Sequence, residues 1–96
     1  MIEKILDDIY RIEVPLPENP LKRLNAYLIK GVKRNLLIDT GFNRKECKER
    51  LLTALTALNV AMDNTDIFIT HLHADHSGLA SAIMTEHTYV FALKGL

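Results

Sequence analysis

The chain has a single cysteine, no net charge and no apolar run of membrane length, and each shortage removes a class of protein. With Cys47 alone, no disulfide forms within the chain, which suits a reducing compartment. Twelve Lys and Arg balance twelve Asp and Glu. A nucleic-acid binder normally shows a basic face, and the short runs Lys22-Arg23, Lys33-Arg34 and Arg44-Lys45 read instead as solvated loop charges. No nucleic-acid partner is expected. No stretch approaches the roughly 20 apolar residues that span a bilayer. The first eight residues lack the basic head and unbroken apolar run of a signal peptide. The expectation is a soluble, cytoplasmic protein with no membrane partner. Repeats, low-complexity runs and internal linkers are also missing. Residues 1–96 read as one domain, of ordinary globular composition at 48% apolar and 25% charged.

Periodicity gives the elements. Ile9-Tyr10-Arg11-Ile12-Glu13-Val14 alternates, with Tyr10, Ile12 and Val14 on one face, as a half-buried strand does. Pro15, Pro17 and Pro20 predict an extended, non-helical loop. Leu24 to Lys30 reads as a second strand, with a hairpin connection over Gly31 to Asn35. Leu36-Leu37-Ile38 is apolar on both faces, the pattern of a central strand covered on both sides. Asn43 and Glu46 have capping-box spacing. Cys47, Leu51, Ala54, Leu55 and Leu58 then form one stripe of a helix from about Arg44 to Leu58. Cys47 is a core residue on that stripe, not a nucleophile. Asn59 suits a left-handed helix end, with Val60 folding back. A turn over Asn64-Thr65-Asp66 precedes the apolar strand Ile67-Phe68-Ile69. A short helix follows at Leu79 to Met84, with Leu79 and Ile83 inward, and Tyr89 to Leu93 is a last strand. This order predicts an α/β layer, a mixed sheet with helices on one face.

The chemistry concentrates in Thr70-His71-Leu72-His73-Ala74-Asp75-His76-Ser77-Gly78, which holds three of the four histidines. Neutral imidazole offers a lone pair near neutral pH, and a carboxylate adds an oxygen donor. On a helix His71 and Asp75 share a face while His73 points away. In an extended chain His71, His73 and Asp75 project to one side and His76 to the other. A turn at Ser77-Gly78 lets His76 swing back, so the motif is expected on a loop at a strand end. Two such ligand pairs suit two metals roughly 3.5–4 Å apart with a nucleophilic water between them. The bland alternative is a polar loop of solvated histidines. His87, beside Glu86 near a helix end, reads as an ordinary solvated histidine.

His-x-His-x-Asp-His after a short apolar strand, followed by a small residue and a glycine, resembles the signature of the metallo-β-lactamase superfamily. Leu37-Ile38-Asp39-Thr40-Gly41 resembles that family's Asp-Thr-Gly turn, and Asn25-Ala26-Tyr27-Leu28-Ile29 the strand before it. The resemblance runs from about Ile9 to the end. It implies the N-terminal half of an αββα sandwich. It implies that His71 and His73 belong to a first metal site, and Asp75 and His76 to a second. Asp75 is the implied catalytic residue, ligating metal and orienting the water. Asp39 is implied to support these ligands from behind; the alternative is a turn residue whose carboxylate bonds its own backbone. The implied cofactor is zinc, one or two ions in an intact site, with iron or manganese as further options.

The same resemblance says that a third histidine for the first metal, a bridging aspartate and another histidine come from later in the family's domain. The chain is therefore expected to be a truncated domain. Four ligands from one loop do not satisfy two metals: a catalytic zinc keeps three protein ligands plus water. The implied activity is metal-dependent hydrolysis of a small-molecule ester, thioester, lactone or similar bond, active once a complementary C-terminal half is supplied. The competing expectation is a non-enzymatic domain. Because a second sheet covers the first in the family fold, its absence predicts an apolar face that self-associates or binds a complementary chain.

Overall fold

The computed structural model describes residues 2–16, 19–70 and 78–92. Six strands form one sheet in sequence order: β1 (Ile2–Leu6), β2 (Ile9–Leu16), β3 (Asn19–Ile29), β4 (Asn35–Ile38), β5 (Thr65–Ile69) and β6 (Val90–Ala92). The first four are mutually antiparallel, and β4, β5 and β6 are parallel. Each parallel step needs a crossover. The first carries helix α1 (Lys45–Ala57) and a 3₁₀ turn at Met62–Asn64; the second includes the short helix α2 (Ala80–Ile83). No helix is long and apolar enough to cross a membrane among the described residues.

Register shows which face the core occupies. Ile12 pairs with Ala26 and Val14 with Leu24, while Leu28, Leu37 and Ile67 align across β3, β4 and β5. All of these are buried. They meet Cys47, Leu51, Ala54 and Leu55 of α1, with Leu79 and Ile83 beside α2. The Cys47 thiol donates to the Pro15 carbonyl oxygen at 3.2 Å, and burial pushes its pKa up, as expected of a core thiol. Helices thus cover one face, and the fold class is as expected from the sequence. The opposite face carries two kinds of residue. Tyr27, Ile38 and Phe68 align in register and are half-buried. Towards β1 the same face is charged: Arg11 pairs with Glu3 at 2.6 Å, and Arg23 with Glu13 at 3.4 Å.

The C-terminus of α1 forms as its sequence dictates. Asn59 is left-handed at φ 59°, its N–H donates to the Thr56 carbonyl, and the Val60 N–H donates to the Leu55 carbonyl. These two bonds satisfy carbonyls that a helix end leaves open, in a Schellman arrangement. The N-terminus differs from expectation. Arg44, not Asn43, is the N-cap, and no side chain caps it. Asn43 lies one residue too early for its side chain to reach the first free N–H groups.

Other expectations also needed correction. Pro15 and Pro20 lie within β2 and β3, so the flanks of the proline-rich stretch are strand, and Pro17 lies outside the described residues. Pro15 is tolerated because, among the described residues, β2 beyond Ile12 pairs with β3 only, and the register shifts at Pro15–Leu16. Thr65 and Asp66 open β5; the turn before them is the 3₁₀ segment. β4 is central, yet Leu36 and Ile38 are only half-buried, because one sheet face has no layer over it among the described residues. The last strand starts at Val90, one residue later than expected, and Leu93 lies outside the described residues. β1 was not legible at all. Its five residues are all exposed, so selection for a core face leaves no alternation there. Asp7-Asp8 turns it into β2, with Asp8 at φ 64°, a conformation Asp tolerates.

Arg34, Asp66 and Tyr89 form a second fixed point. The Arg34 guanidinium hydrogen-bonds the Asp66 carboxylate and holds its pKa below the ordinary carboxylate range. A depressed folded-state pKa contributes stability above the unfolded value, and that contribution is lost as pH falls through the folded one. Asp66→Asn should therefore lower amide protection at Tyr89 at neutral pH, with the gap to wild type closing as acid titrates the carboxylate. Leu51 is fully buried between helix and sheet, so Leu51→Ala should cost about 2–5 kcal/mol in urea unfolding with an unchanged m-value.

Candidate metal centre

The turn after β4 is where the sheet's parallel half opens at its C-terminal edge, the usual place for sites in open α/β sheets. The Asp39 N–H donates to the Phe68 carbonyl at 2.9 Å, continuing the ladder with β5. Asp39 itself is left-handed, at φ 64°, and 5% exposed. That conformation turns the chain out of the sheet and leaves the carboxylate at the end of β5. There, Oδ1 accepts the Thr70 N–H at 2.8 Å and Oδ2 accepts the Thr70 hydroxyl at 2.6 Å. A buried carboxylate without partners would be costly; hydrogen bonds to the charged group offset that cost.

Two residues on, Gly41 has φ 131°, which side chains with a Cβ rarely adopt. A Cβ there would stand 3.0 Å from Val14 Cγ1 and 3.5 Å from Leu79 Cδ1. The Gly41 carbonyl accepts the Leu79 N–H at 3.0 Å. The Asp39-Thr40-Gly41 turn therefore grips the chain on both sides of the histidine segment. Asp39 holds Thr70, the residue before His71, and Gly41 holds Leu79, the residue after Gly78. Thr40, between them, is fully buried.

His71, His73, Asp75 and His76 lie outside the described residues. Among the described residues, no three His, Cys, Asp or Glu side chains come together as a metal site. Of the expected site residues, the structure describes Asp39, just after β4 and beside the end of β5, the strand that leads into the motif. Sequence reasoning did not find Thr70 as its partner, nor the Gly41–Leu79 bond. Thr70 precedes the motif directly, but its contact with Asp39 requires the parallel β4–β5 register, which spacing alone does not give. His87 is exposed, with Nε2 3.4 Å from the Glu86 carboxylate, as a solvated histidine should be.

The strand order and the Asp-Thr-Gly turn define part of an α/β domain in the arrangement that the sequence led one to expect, and comparison with known proteins gives the family. Residues 22–92 match the metallo-beta-lactamase superfamily, and the chain belongs to it. It is 37% identical over 81 residues to the probable metallo-hydrolase YqjP of Bacillus subtilis (strain 168), covering 83% of this chain and 25% of that protein. It is 31% identical over 81 residues to the atrochrysone carboxyl ACP thioesterase of Claviceps purpurea (strain 20.1), covering 80% of this chain and 24% of the other. Among solved structures, a metallo-beta-lactamase family protein from Thermus thermophilus superposes with TM-score 0.74 at 32% identity, over 83% of this chain and 27% of that one. The chain thus spans about a quarter of the length of these relatives and forms part of the superfamily fold.

Asp39→Asn separates the carboxylate's role from the turn's shape, since Asn also tolerates positive φ. It replaces one acceptor oxygen with an NH₂ group, which forces the Thr70 hydroxyl to turn from donor to acceptor, and it removes the charge from both hydrogen bonds. The expected loss is about 1–3 kcal/mol in urea unfolding, with faster amide exchange at Thr70.

Proposed function

We propose that this chain is part of a metal-dependent hydrolase that acts on an ester, thioester, lactone or related small-molecule bond. The observation that carries the reading is the double grip of the Asp39–Gly41 turn on Thr70 and Leu79. It fixes both ends of a segment whose donors are three imidazoles and a carboxylate, a set that fits zinc. His71 and His73 would hold a first ion, and Asp75 and His76 a second. Asp39, through Thr70, positions the segment. Bound there, zinc would supply Lewis acidity, making hydroxide available from water at neutral pH. Asp75 would orient the attacking water, and the imidazoles would serve as ligands. Thioester chemistry is favoured by the identity with a thioesterase.

A second reading rests on the quarter-length coverage and the half-buried apolar row Tyr27, Ile38 and Phe68. On it, the chain is not an enzyme and works by association, with a second copy or with a complementary chain that covers this face. Iron or manganese would fit the same donors.

Elemental analysis after dialysis against limiting zinc tests the first reading. About one zinc or more per chain is expected, and His73→Ala should lower the affinity about tenfold or more. A thioester-cleavage assay with and without a complementary C-terminal segment separates the readings. Zinc-dependent turnover in the reconstituted pair supports the hydrolase; zinc-free association without turnover supports the second.

A further inference from the structure

Arg34 lies at the end of the sheet away from the Asp39–Gly41 turn, one residue before β4. Its guanidinium joins three segments. It forks onto Asp66, with Nε 3.1 Å from Oδ2 and Nη2 2.6 Å from Oδ1. Nη2 also donates to the His87 carbonyl at 2.7 Å, and Nη1 to the Asp63 carbonyl at 3.4 Å. Its carbon centre stands 5.8 Å from the centre of the Tyr89 ring. Asp66 Oδ1 accepts in addition the Tyr89 N–H at 3.1 Å. Two side chains thus tie the entry to β4, the start of β5 and the approach to β6.

The strand they hold has little else to hold it. All three residues of β6 are exposed, Val90 at 42% and Phe91 at 53%. Burial therefore contributes little there. What remains is a three-pair ladder with β5, the Ile67 N–H to Tyr89 carbonyl bond, and the Tyr89–Phe91 ring stack at 6.5 Å. The Thr88 hydroxyl donates to the Met62 carbonyl at 2.8 Å, which ties the approach to the 3₁₀ turn but not to β4. A lone surface ion pair is worth little, but a forked Arg–carboxylate pair with further acceptors on the same guanidinium is the exception.

We propose that Arg34 and Asp66 form a latch that holds β6 and its approach, residues 87–92, onto the sheet. The latch lies at the end of the sheet opposite Asp39. When it is undone, β6 and this approach open while α1 and the antiparallel strands stay folded.

Amide hydrogen exchange on the 96-residue chain tests this, comparing wild type with Arg34→Ala, Arg34→Lys and Asp66→Asn. In each variant, amides of residues 89–92 should exchange about tenfold faster or more, while those of α1, β2 and β3 stay within about twofold of wild type. Arg34→Lys keeps the charge and loses the fork, and it carries the test if Arg34→Ala does not fold. An equal rise across α1, β2 and β3 would show that Arg34 serves overall stability only. Unchanged exchange at residues 89–92 would show that the β5 ladder holds β6 unaided. Wild-type protection in Arg34→Lys would show that a point charge suffices. Any of these three results overturns the latch.

Discussion

The structure depends most on one buried carboxylate at the end of a central strand. Asp39 leaves β4 in a left-handed conformation, keeps its N–H in the ladder with β5, and turns its two oxygens onto Thr70. That single residue converts a parallel strand pair into an anchored exit for the chain. Parallel strands end side by side at the same edge of the sheet. A side chain from one can therefore hold the backbone leaving the other, with no long reach. Gly41 completes the arrangement, because only a residue without Cβ fits beside Val14 and Leu79 at φ 131°. The short Asp-Thr-Gly element is thus a bracket around the donor-rich segment that follows β5.

The sheet itself is unequal on its two faces, and this follows from the order of elements. The two helices that the parallel strands enclose in sequence, α1 and α2, lie on one side, against the face lined by Ile12, Leu28, Leu37 and Ile67, consistent with the fixed hand of such units. The other face is divided, with ion pairs across β1 to β3 and apolar side chains across β3 to β5. Charged groups cost free energy when desolvated, whereas the apolar row gains from being covered. A covering layer, from the same or another chain, would thus favour the β3–β5 side. The matched segment is only about a quarter of each curated relative, which leaves room for such a layer in them.

Sequence patterns served well where burial acts on one stripe or one face. The Cys47, Leu51, Leu55 stripe located α1, and Asn59 marked its end, because a left-handed stop and a returning apolar residue are local requirements. The alternation over Tyr10, Ile12 and Val14 located β2 for the same reason. Patterns failed where no core face exists. β1 is exposed throughout and left no periodicity to read. The prolines broke the reading of strand length, since their cost depends on whether a neighbouring strand needs the missing N–H. That in turn depends on where β1 stops.

Residue type and short spacing were enough for the family: the pattern from His71 to His76, the Asp-Thr-Gly element, and an α/β order of strands and helices. Those are local facts. What Asp39 does is not local. Thr70 is 31 residues away in the chain, and only the parallel register of β4 with β5 brings the two together. The fold likewise gives Arg34 its place: in sequence it reads as one more solvated charge, yet it joins β4, β5 and β6 at the opposite end. Hydrogen bonds of this kind are fixed by strand pairing across long loops, and loop closure leaves no mark on local composition.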